Sequence, residues 1–324
     1  MSMQQGRGLA TRLRIGDEIA TALADGRPVV ALESTLISHG FPYPVNRQIA
    51  LESEQEIRSK GGVPATVAVR DGRMLVGLSV DEIDELATAR GVVKASRPSL
   101  AAALASGGWA STTVSATMIA SAAAGIKVFA TGGIGGVHRG ALVNSATGGR
   151  GSFDISSDLD ELARTPVVVV CAGPKLILDV AITIEALETR GVPVLTIGTD
   201  QVPGFWAVDS GVRSPHPIPS VEAAALVAAM HLELGLGSGL LICTPVPAED
   251  AVPRSTLETE IEAAIAEAER AAIGGAALTP WLLARLAERT QGATVRANLS
   301  LIRHNAAVAA ELAGKLAEAM VTLR

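Results

Sequence analysis

Short apolar runs alternate along the chain with patterns of helical period. Pro28–Leu32, Ile126–Ala130, Thr165–Cys171, Pro193–Ile197 and Gly239–Cys243 read as buried strands. Pro64–Arg70 and Arg73–Leu78 flank Asp71-Gly72, a strong hairpin signal. Thr11–Ala24 reads as a helix with Leu13, Ile15, Ile19 and Leu23 on one side, and Val45–Ser59 as another. An acidic helix follows Ser79 and runs through Arg90. A helix of small residues is expected over Ser111–Ala124, closed by Gly125. Helices also fit Leu176–Thr189, Val221–Leu234, Ala248–Ala272 and two segments near the C-terminus. Strands alternating with helices predict an α/β fold with a largely parallel sheet covered on both faces. Neither a repeat nor a linker interrupts it, so the chain reads as one domain, residues 1–324, with a helical C-terminal extension. Its loosest stretch is 141–152, rich in Gly, Ser and Asn.

Composition narrows the functions. Of 324 residues only eight are aromatic: four Phe, three Trp and one Tyr. That leaves little for aromatic cages or base-stacking platforms. The net charge of −6 gives no basic footprint for a nucleic-acid polymer. Cys171 and Cys243 lie in apolar segments, which suits a reducing compartment and gives neither a disulfide framework nor a zinc site. The charge-free stretch from Pro98 to Ile126 is too rich in small residues, with Gly107-Gly108 inside it, to read as a membrane span. A cytoplasmic protein without a membrane or nucleic-acid partner is expected.

Five segments carry candidate chemistry. Only five residues are Lys, and Lys175 is the unusual one, placed after four valines and the Gly173-Pro174 turn. Pro174 suits the first position of a helix, which would put Lys175 in its first turn. The helix dipole and burial would both favour the neutral amine that a Schiff-base lysine needs; a surface lysine at a helix start is the plain alternative. Thr131-Gly-Gly-Ile-Gly-Gly-Val-His138-Arg139 follows a strand, and its glycines let backbone N–H groups approach an anion. It matches neither the Walker A nor the dinucleotide-binding pattern, and an ordinary tight turn would look similar. In Asp154-Ile-Ser156-Ser157-Asp158-Leu-Asp160, Ser157 reads as a helix N-cap with Asp160 three residues on, while the carboxylates also suit a hard cation. Glu33 ends a buried strand, where a carboxylate can serve as a general acid or simply accept loop N–H bonds. Lys94-Ala-Ser96-Arg97 is a short cationic cluster suited to phosphate, or a solvated surface. His216 falls in a Pro-rich loop, and His231 and His304 fall on helices with structural roles.

Taken together the chain resembles the pseudouridine-5′-phosphate glycosidase family from about Ile15 to Leu316. The carrying stretches are Ala31-Leu-Glu-Ser-Thr35, Gly62-Val-Pro-Ala-Thr66, Lys94-Ala-Ser-Arg97, Thr131-Gly-Gly-Ile-Gly-Gly-Val-His-Arg139 and Asp154-Ile-Ser-Ser-Asp158. They continue with Val169-Val-Cys-Ala-Gly-Pro-Lys175, Gly191-Val-Pro-Val194 and Ala297-Asn-Leu-Ser-Leu301. The resemblance implies reversible cleavage of the C–C glycosidic bond of pseudouridine 5′-phosphate to uracil and ribose 5-phosphate. It implies Lys175 as nucleophile, Glu33 as proton donor and Asp154 as ligand of Mn²⁺. Lys94, Val114, Ser156, Ser157 and Asp158 match substrate-binding positions, and Thr131, His138 and Asn298 fall at pocket positions. A homotrimer of three-layer α/β/α sandwiches with a largely parallel, mixed sheet is implied as well.

The chemistry has a reason. A C–C glycosidic bond has no leaving heteroatom to protonate, so the two-carboxylate route of ordinary glycosidases gains little. An amine that opens the sugar and forms an iminium at C1′ supplies an electron sink. The chain departs from the family pattern in a longer 141–152 segment, in Thr244 where Asn is expected, and in Ala207-Val208 where Thr-Arg is expected. Two other readings use the same residues: a Schiff-base aldolase or lyase on another sugar phosphate, and a non-catalytic sugar-phosphate sensor.

Overall fold

The computed structural model describes residues 6–142, 151–271, 273 and 278–323. Most of the 141–152 segment therefore lies outside the described residues. The strands in chain order are β1 (Leu13–Ile15), β2 (Val29–Leu32), β3 (Val63–Arg70), β4 (Arg73–Val76), β5 (Val93–Ala95), β6 (Ala110–Thr112) and β7 (Val128–Ala130). They continue with β8 (Val137–His138), β9 (Val168–Cys171), β10 (Leu178–Asp179), β11 (Val194–Ile197), β12 (His216–Ile218) and β13 (Leu240–Cys243).

The central path of the main sheet runs β1-β4-β3-β2-β7-β9-β13-β11-β12, with β5 and β6 attached through β3. From β3 to β12 along that path every neighbour is parallel, while β4 and β6 meet β3 antiparallel. This is the expected mixed, mostly parallel sheet. Its central strands read Val-Val-Ala-Leu, Val-Val-Val-Cys and Leu-Leu-Ile-Cys, and every residue in them is buried. Alternate side chains point to opposite faces. Val29, Ala31, Phe129 and Val169 join one apolar cluster, and Val30, Leu32, Val128 and Val170 join another.

The second cluster is closed by the helices Val221–Glu233 and Ala293–Thr322. Ala224, Ala228, Ala306, Ala309, Ala310 and Ala313 of these helices are buried in that cluster. Small side chains let these helices lie close to the sheet, which is why so few aromatics are needed to fill the interior. Ala297, Leu301 and Ile302 at the start of the last helix belong to the first cluster, so this 30-residue helix reaches both.

Several expectations are met closely. Asp71-Gly72 joins β3 to β4, with positive φ at both residues. Ser79 and Glu82 form a capping box on the helix Val80–Thr88. Gly125 ends the helix Val114–Ala124 in the left-handed conformation.

Others are corrected. Leu13–Ile15 is not helical; it pairs parallel with β4, and the helix starts at Asp17 after Gly16. The outer edge of β4 offers unpaired backbone groups, and satisfying them outweighs a weak helical period. Ser111 and Thr112 belong to β6 between β5 and β3, so that helix starts only at Val114. The helix foreseen from Ala248 starts at Arg254, beyond Pro253. His216 begins the edge strand β12 rather than lying in a loop. The helix foreseen from Leu176 starts only at Val180, with the Asp179 carboxylate accepting from the Ile182 N–H as its N-cap.

Candidate functional site

Glu33, Thr131 and Lys175 follow β2, β7 and β9, three adjacent parallel strands. Their C-terminal ends open into a cavity of about 390 Å³, the edge where parallel α/β sheets bind ligands. Of the predicted site residues, Glu33, Lys94, Val114, Thr131, His138, Ser156, Asp158, Lys175 and Asn298 all line it. Ser157 and Asp154 do not.

Lys175 leaves the turn that follows β9. Its Nζ donates to the Gly133 carbonyl at 3.0 Å and stands 5.8 Å above the Phe205 ring. The following helix begins only at Val180, so the dipole argument for a neutral amine does not apply. What holds the turn is Arg139, whose guanidinium donates to the Leu176 carbonyl at 2.9 Å and to the Leu178 carbonyl. Arg139 is thereby engaged with backbone and does not line the cavity.

Glu33 accepts hydrogen bonds from the hydroxyls of Thr35 and Thr131, one at each carboxylate oxygen. The Thr35 hydroxyl also contacts the Thr112 carbonyl at 3.1 Å. Lys94 stands at the cavity mouth. Burial pulls its ammonium below the ordinary lysine range, the charge of Lys175 adds to that, and Glu33 opposes it. Its sequence neighbour Arg97 is committed elsewhere, in a two-pronged ion pair with fully buried Glu161. The cationic cluster therefore offers the cavity Lys94 alone.

The glycine-rich loop lies over the cavity. A Cβ on Gly133 would meet the Phe205 ring at 2.6 Å and the Gly173 carbonyl oxygen at 2.8 Å, and one on Gly135 would collide with the Ser156 hydroxyl. Asp158, buried beneath, accepts from the Gly135 N–H at 2.9 Å and from the Ser115 N–H at 3.1 Å. One carboxylate thus joins the loop to the start of the helix Val114–Ala124. The N-cap of the helix Ser157–Leu162 is Ser156, not Ser157, and the Ser157 hydroxyl faces that of Ser115 at 3.4 Å. Asp158→Ala removes the acceptor of two backbone N–H groups. It is expected to cost about 3 kcal/mol, read as a lower urea midpoint with an unchanged m-value.

Asp154 lies beside the cavity with its Oδ2 3.9 Å from the His138 Nε2. No three His, Cys, Asp or Glu side chains converge as a metal cage among the described residues. One carboxylate, completed by water and substrate oxygens, is a donor set for a hard divalent cation and not for tetrahedral zinc.

Some wall residues carried no sequence signal. Phe205 holds φ of +62° and packs edge-on against Trp206, and nothing local marks it as a neighbour of Lys175. Thr279, Pro280 and Leu283, on the helix Leu278–Arg289, come from a remote part of the chain. Asn305 is fully buried and pins the loop by donating to the carbonyls of Thr131 at 2.8 Å and Gly132 at 3.2 Å. His231 bonds the Ser238 carbonyl at 2.9 Å and His304 the Thr244 hydroxyl at 3.1 Å, in keeping with structural roles.

The family model described as Indigoidine synthase A like protein matches residues 18–315. A pseudouridine-5′-phosphate glycosidase of Roseobacter denitrificans is 50% identical over 95% of this chain and 96% of its own length. One of Deinococcus radiodurans is 48% identical over 95% and 96%. Among solved structures, the prealnumycin C-glycosynthase AlnA in complex with ribulose 5-phosphate is 36% identical, with a TM-score of 0.86 over 96% of this chain and 98% of that one. An indigoidine synthase A-like protein of Thermotoga maritima gives 33% identity and a TM-score of 0.82 over 94% and 96%.

Proposed function

The chain belongs to the family of Indigoidine synthase A like proteins, beside relatives named pseudouridine-5′-phosphate glycosidase, and from that premise we propose that it cleaves pseudouridine 5′-phosphate reversibly to uracil and ribose 5-phosphate. The observation that carries the reading is the meeting of Lys175, Glu33 and Lys94 in one cavity roofed by glycine backbone. It is supported by the relatives' name and by a structural neighbour that makes a C-glycosidic bond and holds a pentulose phosphate.

Each group has a step. Glu33 carries a proton to the ring oxygen as the sugar opens. Both of its oxygens accept from threonine hydroxyls. When one oxygen is protonated, the hydroxyl facing it turns to accept, since a hydroxyl does either. The Lys175 amine adds to C1′ as the bond from C1′ to the ring oxygen breaks, and loses a proton; its lone pair then forms the C1′ iminium while the bond to C5 of the base breaks, that bond's electron pair going to the base. The base carbon takes up a proton and uracil departs. Water then releases the sugar as ribose 5-phosphate and restores the amine. Lys94 and the Ser156 hydroxyl, both lining the cavity, hold the phosphate. A Mn²⁺ ion on Asp154, with water and substrate oxygens completing its shell, would orient water and phosphate oxygens. A homotrimeric assembly and a cytoplasmic location complete the proposal.

Pseudouridine 5′-phosphate incubated with the protein and a divalent cation is expected to yield free uracil. No uracil at any Mn²⁺ concentration rejects the substrate assignment. Borohydride trapping with ribose 5-phosphate separates chemistry from sensing: a mass increase at Lys175 is expected, and its absence would favour a binding role.

A further inference from the structure

His39 lines the same cavity and has no part in the steps above. It ends the helix Thr35–His39 at the cavity mouth, on the side of Lys94. The geometry is set by Ser111, whose hydroxyl lies 3.4 Å from the His39 Nδ1. Ser111 is also the register partner of Lys94 in the β5–β6 pair. A second hydroxyl, Ser38, holds Nδ1 at 2.6 Å. Hydroxyls turn to donate or accept, so these two partners tolerate either charge state of the ring.

Neither His39 nor Lys94 makes an ion pair among the described residues. The helices packed against Thr35–His39 bring Arg47 and Asp84, which pair with each other. Burial holds His39 below the ordinary histidine range, the charge of Lys94 adds to this, and the Val92 carbonyl opposes it. His39 and Lys94 line one cavity mouth without an ion-pair partner and repel each other when both are charged, the Glu33 carboxylate opposing this for Lys94, and an anion between them would relieve the repulsion.

We propose that His39 is a second cation of the phosphate end, protonated when a phosphate monoester settles between it and Lys94. The proposal rests on the sugar-phosphate reading of the cavity. It makes phosphate affinity strongest on the acid side of neutrality and weaker as pH rises and the imidazolium is lost. The second ionisation of the phosphate, near pH ~6, is common to every variant and cancels in the comparison.

The test is calorimetric binding of ribose 5-phosphate, which needs no bond cleavage. His39→Gln is expected to weaken Kd about tenfold at acidic pH and little at alkaline pH. His39→Lys keeps a charge throughout and is expected to bind tightly at both. Trapping of phosphate-free ribose on Lys175 by borohydride is expected to be unchanged in His39→Gln. Equal binding by His39→Gln and the parent at acidic pH overturns the proposal. So does a loss of the same size at both pH values, or an equal loss of ribose trapping, since those describe a steric part. If His39→Gln weakens ribose 5-phosphate but the parent never releases uracil from pseudouridine 5′-phosphate, the substrate reading fails and the phosphate site stands.

Discussion

Lys175→Ala is expected to lower the rate of uracil release by about 10⁴-fold or more, the scale seen when an essential nucleophile is removed. The loss should fall on kcat, because the side chain touches the Gly133 carbonyl and the Phe205 ring and forms no part of the glycine roof. Calorimetry with ribose 5-phosphate checks that the cavity survives: binding retained with turnover lost is the expected pair of results. Arg at this position is no substitute, since a guanidinium stays charged and cannot form the iminium. Residual turnover within tenfold of the parent would mean that another group attacks C1′.

Glu33→Gln has the second largest expected effect, a fall of about 10³-fold in kcat. The substitution keeps the shape and removes the transferable proton. It also replaces one acceptor oxygen by a donor, so the hydroxyl of Thr35 or Thr131 that donated there must turn its hydrogen away and accept instead. The two variants are told apart by borohydride. After long incubation Glu33→Gln is expected still to trap ribose 5-phosphate on Lys175, because a little open-chain aldehyde forms without help. Lys175→Ala traps nothing. If Glu33→Gln turned over at the parental rate, the proton would have to come from elsewhere.

The features legible in the amino-acid order were those with local causes. Val-Val-Val-Cys and Leu-Leu-Ile-Cys are apolar because both faces of a parallel strand are covered. Asp71-Gly72 and the Ser79–Glu82 box act within four residues of themselves. What stayed hidden had distant causes. Leu13–Ile15 and Ala110–Thr112 are strands because β4, β3 and β5 offer them pairing partners, and no local pattern records that. The site residues showed through motif resemblance, yet the local reasoning attached to Lys175 failed, since Asp179 delays the helix. Phe205 and the wall residues from Leu278–Arg289 were out of reach, because tertiary packing alone brings them to the cavity.

The closing helix Ala293–Thr322 turns the enzyme into a gauge of its own occupancy. Its first turns hand Asn298 and Ile302 to the cavity, Asn305 grips the glycine loop, and Ala306 to Leu316 lie against the far face of the sheet. A ligand that binds only the folded state stabilises by RT ln(1 + [L]/Kd). Here that energy enters at one end of a continuous hydrogen-bonded rod. Slowed amide exchange along its far end should therefore report sugar phosphate in the cavity, at positions that never touch it.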